Sequence, residues 1–346
     1  MIRIHNEFIG GNIHVIGQIG NDVYLRNELR DTLGDWFYWA FCVEGAEGQT
    51  LTFHFGYRRV GYWGPAVSHD LKEWKWLDRA EGESFTYSFG KDETKVYFAH
   101  HMLYHPDRFL TLAANHGLAV DELCKSPKGH SVPYVTIGEG EQTILLTARH
   151  HACESTGSYV LEGVLDELLS APLANTRILC VPFVDYDGVL EGDQGKSRIP
   201  HDHNRDYIDE PLYPEVRAIQ ALVAQYGIRF ATDFHSPGHL GKQNDTIFIV
   251  RNMTEKLDRF DRFSELLAAE ITPDSMDYKK ENDYPPCTSW NQPSPNFAYV
   301  TNCRPECDLS FSLESAYFGT EDNKISQERL IALGHCFAKA MKAYLS

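Results

Sequence analysis

Apolar and polar residues alternate with a period of two through about the first hundred positions of the chain. Leu51, Phe53, Phe55 and Tyr57 are interleaved with Thr52, His54 and Gly56, and Phe85, Tyr87 and Phe89 with Ser84, Thr86 and Ser88. That spacing predicts half-buried strands. The unbroken run "WFYWAFCV" (Trp36 to Val43) predicts a central strand, while clusters such as "GGN", "GND" and "GKDE" supply turns. Short strands punctuated in this way predict an antiparallel β-sandwich.

Beyond "KVYFAHHMLYHP" the period changes. "QTILLTA" predicts a strand, Leu161, Val164, Leu165, Leu168 and Leu169 follow at helical spacing, and "TRILCVPFV" predicts a second strand, together a βαβ unit. Val216, Ile219, Leu222 and Val223 mark a helix opened by Pro214 and closed near Gly227, after which "IRFATDF" is a strand. Leu257, Phe260, Phe263 and Leu267 mark another helix with Thr254 as its N-cap, and Leu330, Leu333, Phe337 and Met341 the last. The stretch from Asp274 to Pro295, rich in Pro, Asn, Ser and Asp, predicts a long irregular loop, a common place for function. The expected division is a sandwich over residues 1–102 and an α/β domain over 103–346.

Composition narrows the classes. With 346 residues, 42% hydrophobic and 23% charged, the chain has ample apolar surface for one large or two ordinary domains. No apolar run is long enough to span a bilayer, and "MIRIHNEFIGGN" lacks the apolar core of a signal peptide, so a cytoplasmic protein without a membrane partner is expected. The eight scattered cysteines are then free thiols, and Cys303 and Cys307 of "CRPEC" serve packing rather than a zinc finger. A net charge of −17 repels nucleic acid and anionic membrane; a polyanion would need a local basic pocket.

In an open α/β sheet, ligands bind beyond the carboxyl ends of the strands, so the polar residues that follow each apolar run are the ones to collect. These are "RHHACE", "DYDGVLEGDQGKSRIPHDHNRDY", "DFHSPGH" and "SLESAY". Two histidines and a carboxylate, with a fourth position open to water, make a catalytic zinc set. His151 and Glu154, three apart, share one side of a turn entering a helix, and His235 can close the site from a neighbouring strand; His150 and Glu154, four apart, are also geometrically compatible. Alone, the short motif is equally compatible with ordinary buried histidines and a helix-capping glutamate.

The motifs taken together resemble the zinc metallocarboxypeptidases, and more closely their cytosolic carboxypeptidase subgroup. "TARHHACE" is similar to that family's strand, Arg and His-x-x-Glu; "DYDGV" and "HDHNRDY" to its "NPDGV" and Asn-Arg; "DFH" to its Asp-x-His; and "SFSLE" to its "SYTME". "GNIHV", "DWFYWAF", "GPAVSHD" and "KVYFAHH" resemble pieces of the subgroup's companion β domain. The resemblance implies a three-layer α/β/α domain with a mixed sheet, preceded by the sandwich. It implies one Zn²⁺ held by His151, Glu154 and His235, Glu314 as general base, and Asn204 with Arg205 clamping the terminal carboxylate of a peptide or protein substrate. Asp233 is expected to orient a ligand histidine.

The chain also departs from its relatives. Nine residues before Asn204, where they carry an arginine that stabilises the oxyanion, stands Gly195. Arg198 or Lys196 has to substitute, and Arg198 is favoured for its two parallel donors. His201 and His203 are expected to support the site or touch substrate rather than form an amidohydrolase-type metal pair. Fifteen before Glu314, where acid-specific relatives carry arginine, stands Tyr299, with Arg304 as a possible substitute. Tyr284 and Tyr299 are candidates for a substrate-contacting tyrosine. The competing readings are a zinc deacylase of the aspartoacylase and succinylglutamate desuccinylase type, and a non-catalytic recognition protein on the same fold. The sandwich and the intact Asn-Arg pair favour the carboxypeptidase.

Overall fold

The computed structural model describes residues 2–57, 59–78 and 82–346. The N-terminal part contributes β1 (Arg3–His5), β2 (His14–Ile19), β3 (Asp22–Arg26), β4 (Ala40–Glu44), β5 (Thr50–Phe55), β6 (Ala66–Ser68), β7 (Lys75–Trp76), β8 (Ser84–Ser88) and β9 (Lys95–Ala99). They form a five-stranded sheet, β1-β4-β9-β6-β7, and a four-stranded sheet, β2-β3-β5-β8. Pairing is antiparallel except between β3 and β5, which run parallel. The alternation seen in the sequence does its work here: Leu51, Phe53, Phe55 and Phe85 point inward against Trp39, Phe41, Val43, Val96 and Phe98 in one buried cluster. Phe53 lies 5.2 Å from Phe41 and 5.0 Å from Phe85, ring centre to ring centre.

The run from Trp36 to Val43 becomes a strand only from Ala40, and it is interior, flanked by β1 and β9. Its lack of polar positions has a physical cause. Trp39, Phe41 and Val43 face the sandwich core, whereas Tyr38 and Ala40, with Ala66 and Ala99, face the core of the α/β part. The five-stranded sheet is therefore buried on both faces and holds the two parts of the molecule together.

The remaining elements are α1 (Pro106–Asn115), β10 (Asp121–Lys125), β11 (Ser131–Ile137), β12 (Gln142–Ala148), α2 (Ser155–Ser170), β13 (Thr176–Val181), α3 (Tyr186–Glu191), α4 (Pro214–Tyr226), β14 (Ile228–His235), β15 (Ile247–Val250), α5 (Leu257–Glu270), α6 (Phe297–Asn302), β16 (Leu309–Ser315) and α7 (Gln327–Leu345). Their sheet runs β10-β11-β13-β12-β14-β16-β15, parallel across β13, β12, β14 and β16 and antiparallel at both edges. The first core cluster joins α2, α5 and α7 to one face of this sheet, and α4 and α6 cover the other, giving three layers. The edge strand β10 escaped the sequence reading because "DELCK" is largely exposed and carries no clear alternation; β11, interior between β10 and β13, was also not predicted. Thr254 is not the cap of α5: it opens a 3₁₀ turn, Thr254–Lys256, and the helix starts at Leu257. Between Asp274 and Pro295 the chain is irregular apart from a 3₁₀ turn at Lys280–Asn282. All eight cysteines are free.

Helices α2 and α7 meet through Gly163 and Gly334. A Cβ at Gly334 would lie 2.1 Å from the Val160 carbonyl oxygen and 2.8 Å from the Gly163 Cα, so the backbones approach as closely as they can. Gly334→Ala is expected to push the helices apart and destabilise the fold by about 1–3 kcal/mol, measured by denaturant unfolding. An unchanged midpoint would show that the contact yields freely.

Candidate active site

Three neighbouring parallel strands bring the candidate residues together. His151 and Glu154 follow β12 in a turn that Arg149 enters with φ +62°, and Glu154 sits at the N-terminal boundary of α2. His235 is the last residue of β14, and the β14–β16 register sets it directly beside Glu314. A cavity of about 520 Å³ opens at these strand ends. His151, Glu154, His235 and Glu314 line it with Lys196, Asn204 and Arg205.

Glu154 is at the centre. Its Oε1 lies 2.8 Å from His151 Nδ1, its Oε2 2.6 Å from His235 Nδ1, and Ser236 N–H donates to Oε2 at 3.0 Å. The far nitrogen of each ring meets another carboxylate: His151 Nε2 lies 3.3 Å from Asp202 Oδ2, and His235 Nε2 contacts Asp233 Oδ2. Potential donor atoms of His151, Glu154 and His235 lie within 4.8 Å of one another. Two imidazoles presenting Nδ1 to a shared point while carboxylates hold Nε2 are the arrangement expected of metal-binding histidines, so these residues fit a divalent cation. Burial disfavours protonation of His151 and His235, yet Glu154 acting on both, Asp202 on His151 and Asp233 on His235 outweigh it and raise both pKa values. Burial would raise Glu154; Lys196, His151 and His235 overcome that and hold it well below the ordinary carboxyl range.

His150 is spoken for elsewhere, with Nδ1 2.8 Å from Asp233 Oδ1 and Nε2 2.7 Å from the Tyr207 hydroxyl. It could join Asp233 and His235 in an alternative trio, but those contacts place it behind the site, and it does not line the cavity. A third trio, His5, Cys42 and Glu44, lies on the sandwich, where Lys95 pairs with Glu44 at 2.8 Å and supplies the positive charge. Glu314 is buried, and its Oε2 has no partner. Burial raises its carboxyl to about 7, against the lowering pull of His235 and Lys196 and with the help of Glu154.

The two cations of "GKSR" have separate fates. Lys196 reaches the cavity, where its ammonium pairs with Glu154 and donates to the Ser236 and Pro237 carbonyls at 2.9 and 3.0 Å. Arg198, the residue favoured from the sequence for the oxyanion, does not line the cavity: its guanidinium pairs with Asp185, with Asp193 at 2.9 Å, and lies 3.8 Å from Asp31. Three carboxylates converging there hold it, and of the two cations Lys196 is the one that reaches the cavity. Asn204 is also engaged, with Nδ2 3.0 Å from His235 Nε2 and Oδ1 accepting from Phe297 N–H at 3.0 Å. Arg205 bonds the Asn204 carbonyl at 2.7 Å and, among the described residues, pairs with no carboxylate.

His203 stacks on Tyr213 at 3.6 Å and His201 Nε2 donates to the Arg205 carbonyl at 2.9 Å, so both support the loop from outside the cavity. Tyr284, Tyr299 and Arg304 do not line it either. Trp290, stacked on Tyr284 at 4.7 Å, does. Trp36 and Asp202 were missed in the sequence. Asp202 had a signal, an acid wedged into "HDHNR"; Trp36 had none, because it arrives from the sandwich region.

No protein-family model matches the chain. Over 313 residues it is 27% identical to an uncharacterized protein of Zymomonas mobilis, covering 82% of this chain and 81% of that one. It is 25% identical over 330 residues to cytosolic carboxypeptidase 2 of Xenopus tropicalis, covering 84% of this chain but 33% of that protein. The chain thus spans about a third of that relative's length. A crystal structure of a metallo-carboxypeptidase from Burkholderia cenocepacia superimposes with a TM-score of 0.82 at 19% identity, over 99% of this chain and 98% of that one. The fold, sandwich included, is that of the metallocarboxypeptidases. In sequence the chain is similar to the cytosolic carboxypeptidases, and in fold to the metallo-carboxypeptidases.

Proposed function

We propose that the protein is a zinc-dependent carboxypeptidase that removes the last amino acid, C-terminal or side-chain-linked, from a peptide or protein. The observation that carries this reading is the convergence, on one cavity, of His151, Glu154 and His235 with Glu314, whose Oε2 has no partner among the described residues, and with Arg205, whose guanidinium pairs with no carboxylate among them. His151, Glu154 and His235 would hold one Zn²⁺, which when bound polarises water and the scissile carbonyl. Glu314 accepts the proton at Oε2 and hands it to the leaving amine; a carboxyl poised near neutrality suits both transfers. Arg205 binds the substrate's terminal carboxylate in two parallel bonds. Asn204, already committed to His235 and Phe297, steadies Arg205 from the neighbouring position. Lys196 supplies the charge for the oxyanion in place of Arg198.

Apart from Arg205, and from Lys196, which is paired with Glu154, the described lining residues include no lysine or arginine; among them are Asn244, Val250, Asn252, Asn296, Ala298 and Ser312. An acidic side chain would find no free lysine or arginine among them beyond the carboxylate clamp, so no exclusive preference for C-terminal glutamate or aspartate is expected. We also keep the division near residue 102, between the end of β9 and the start of α1, and a cytoplasmic location in contact with neither membrane nor nucleic acid. No helix of the described residues is long and apolar enough to cross a membrane.

Zinc analysis tests the ligand set: His151→Ala and His235→Ala are expected to lose most of the metal and His150→Ala to keep it, and retention in both of the first two would remove the assignment. Glu314→Gln is expected to keep zinc and fold and to lose roughly 10²- to 10⁴-fold in turnover. Glu314 works ionised, so kcat/KM should rise with pH through an acid limb; because a bound cation favours the carboxylate, that limb falls at or below about 7. A variant that retains wild-type turnover, or the same limb, would mean that another group takes the proton. In a peptide series varied at the last residue, only free acids should be shortened, amidated peptides should survive, and glutamate and aspartate should not be released exclusively. Better turnover of amidated peptides or N-acyl amino acids would favour a deacylase.

A further inference from the structure

Lys196 is buried, and most of what fixes its backbone comes from the N-terminal region. Asp31 Oδ1 accepts from Gln194 N–H at 3.1 Å and Oδ2 from Gly195 N–H at 2.8 Å, capping the two residues before Lys196. Thr32 Oγ1 donates to the Lys196 carbonyl at 2.7 Å, and Ile199 N–H donates to the Asp31 carbonyl at 2.8 Å. The Gln194 side chain, fully buried, is gripped at both ends: Oε1 accepts from Tyr38 N–H at 2.9 Å, and Nε2 donates to the Tyr38 and Glu28 carbonyls at 2.9 and 3.0 Å. The Trp36 ring lies 5.3 Å from Lys196 Nζ and forms part of the cavity wall.

On its other side the same loop is pressed against the ligand turn. Gly195 has φ +73°, and a Cβ there would lie 2.1 Å from Ala152 N and 2.8 Å from His151 Cα. No side chain fits at that position, and the loop has no room to move inward. It is held between the backbone of His151 and residues 28–38, and Lys196 is the first residue after Gly195 whose side chain reaches the cavity. Two donors of its ammonium go to the Ser236 and Pro237 carbonyls, and the third meets Glu154 at the cavity wall.

We propose that residues 28–38 of the sandwich region are a positioning element of the active site. Asp31 and Thr32 fix the backbone on which Lys196 stands, and Trp36 covers its ammonium and shields it from water. The ammonium, its three donors taken by Ser236, Pro237 and Glu154, is thereby held at the cavity wall, where its charge acts through space on the carbonyl oxygen that becomes negative when the scissile bond is attacked. This rests on the carboxypeptidase reading above, with Lys196 as the catalytic cation. The sandwich then completes the site, and Trp36, Thr32 and Asp31 are positioning residues.

The test uses the zinc-loaded full chain and two calorimetric probes: an N-blocked dipeptide analogue with a phosphonate in place of the scissile amide, and the corresponding free amino acid product. The phosphonate's anionic oxygen reports Lys196, whereas the product reports the Arg205 clamp. Lys196→Met is expected to lower kcat and phosphonate affinity roughly 10²- to 10³-fold with zinc content and product affinity unchanged. Trp36→Ala and Thr32→Val should lower the same two quantities about tenfold or more, leaving KM and zinc alone, and Trp36→Phe should restore most of the loss. Loss in Lys196→Met with none in Trp36→Ala and Thr32→Val would overturn the positioning role. Loss in Arg198→Met but not in Lys196→Met would overturn the choice of cation. A wild-type protein that binds zinc but neither probe would instead overturn the carboxypeptidase reading itself.

Discussion

A carboxylate stripped of bulk water is tenable only where positive charge surrounds it, and the structure around the cavity is organised to meet that requirement at Glu154. Two imidazoles and an ammonium approach it, each from a different part of the chain: His151 from the turn after β12, His235 from the end of β14, and Lys196 from the loop after α3. Beyond them a second ring of carboxylates, Asp202 and Asp233, holds the imidazoles from behind. Charges of alternating sign in a buried place fix one another's positions more tightly than packing alone, because any displacement leaves an ion unpaired. Glu314 stands at the edge of this network with no partner for Oε2 among the described residues, and its burial raises the carboxyl to about 7.

The five-stranded sheet connects this electrostatic arrangement to the rest of the fold. Because β4 is apolar on both faces, the sandwich shares a core with the α/β part rather than hanging from a linker. The contact continues at the site. His101, just after β9, bonds the Cys153 carbonyl at 2.8 Å, one residue before Glu154, and Gln194 is enclosed by the backbone of Tyr38 and Glu28. Arg198 belongs to the same junction, where with Arg30, 2.7 Å from Asp193, it offsets the charge of Asp31, Asp185 and Asp193.

Much of the architecture was legible in the pattern of apolar positions. The strands Thr50–Phe55, Ser84–Ser88, Gln142–Ala148 and Ile228–His235 and the helices Ser155–Ser170 and Pro214–Tyr226 lie where period and punctuation put them, since each buries one repeating face. The edge strand β10 and the true start of α5 were not legible. An edge strand buries too little to impose a pattern, and a 3₁₀ turn ahead of a helix has the same local composition as a cap.

At the site the same divide holds. His151 and Glu154 are joined by three residues of chain, and His235 and Glu314 end neighbouring strands, so their meeting follows from local spacing and the order of the sheet. Lys196 and Arg198 sit two residues apart in one loop, and nothing local separates them; the stiffer, bidentate cation was the reasonable expectation. The tertiary structure brings Lys196, and not Arg198, to the cavity. Gly195 presses the loop onto the backbone of His151, Asp31 caps it from the sandwich region, and Asp185 and Asp193 of the same stretch of chain, with Asp31, hold Arg198 outside. The sequence by itself determined which groups could do chemistry, because spacing along a strand or turn is a property of the local chain. Which of two equivalent cations faces the cavity depended on the sum of charges and close contacts brought together only when the chain folds.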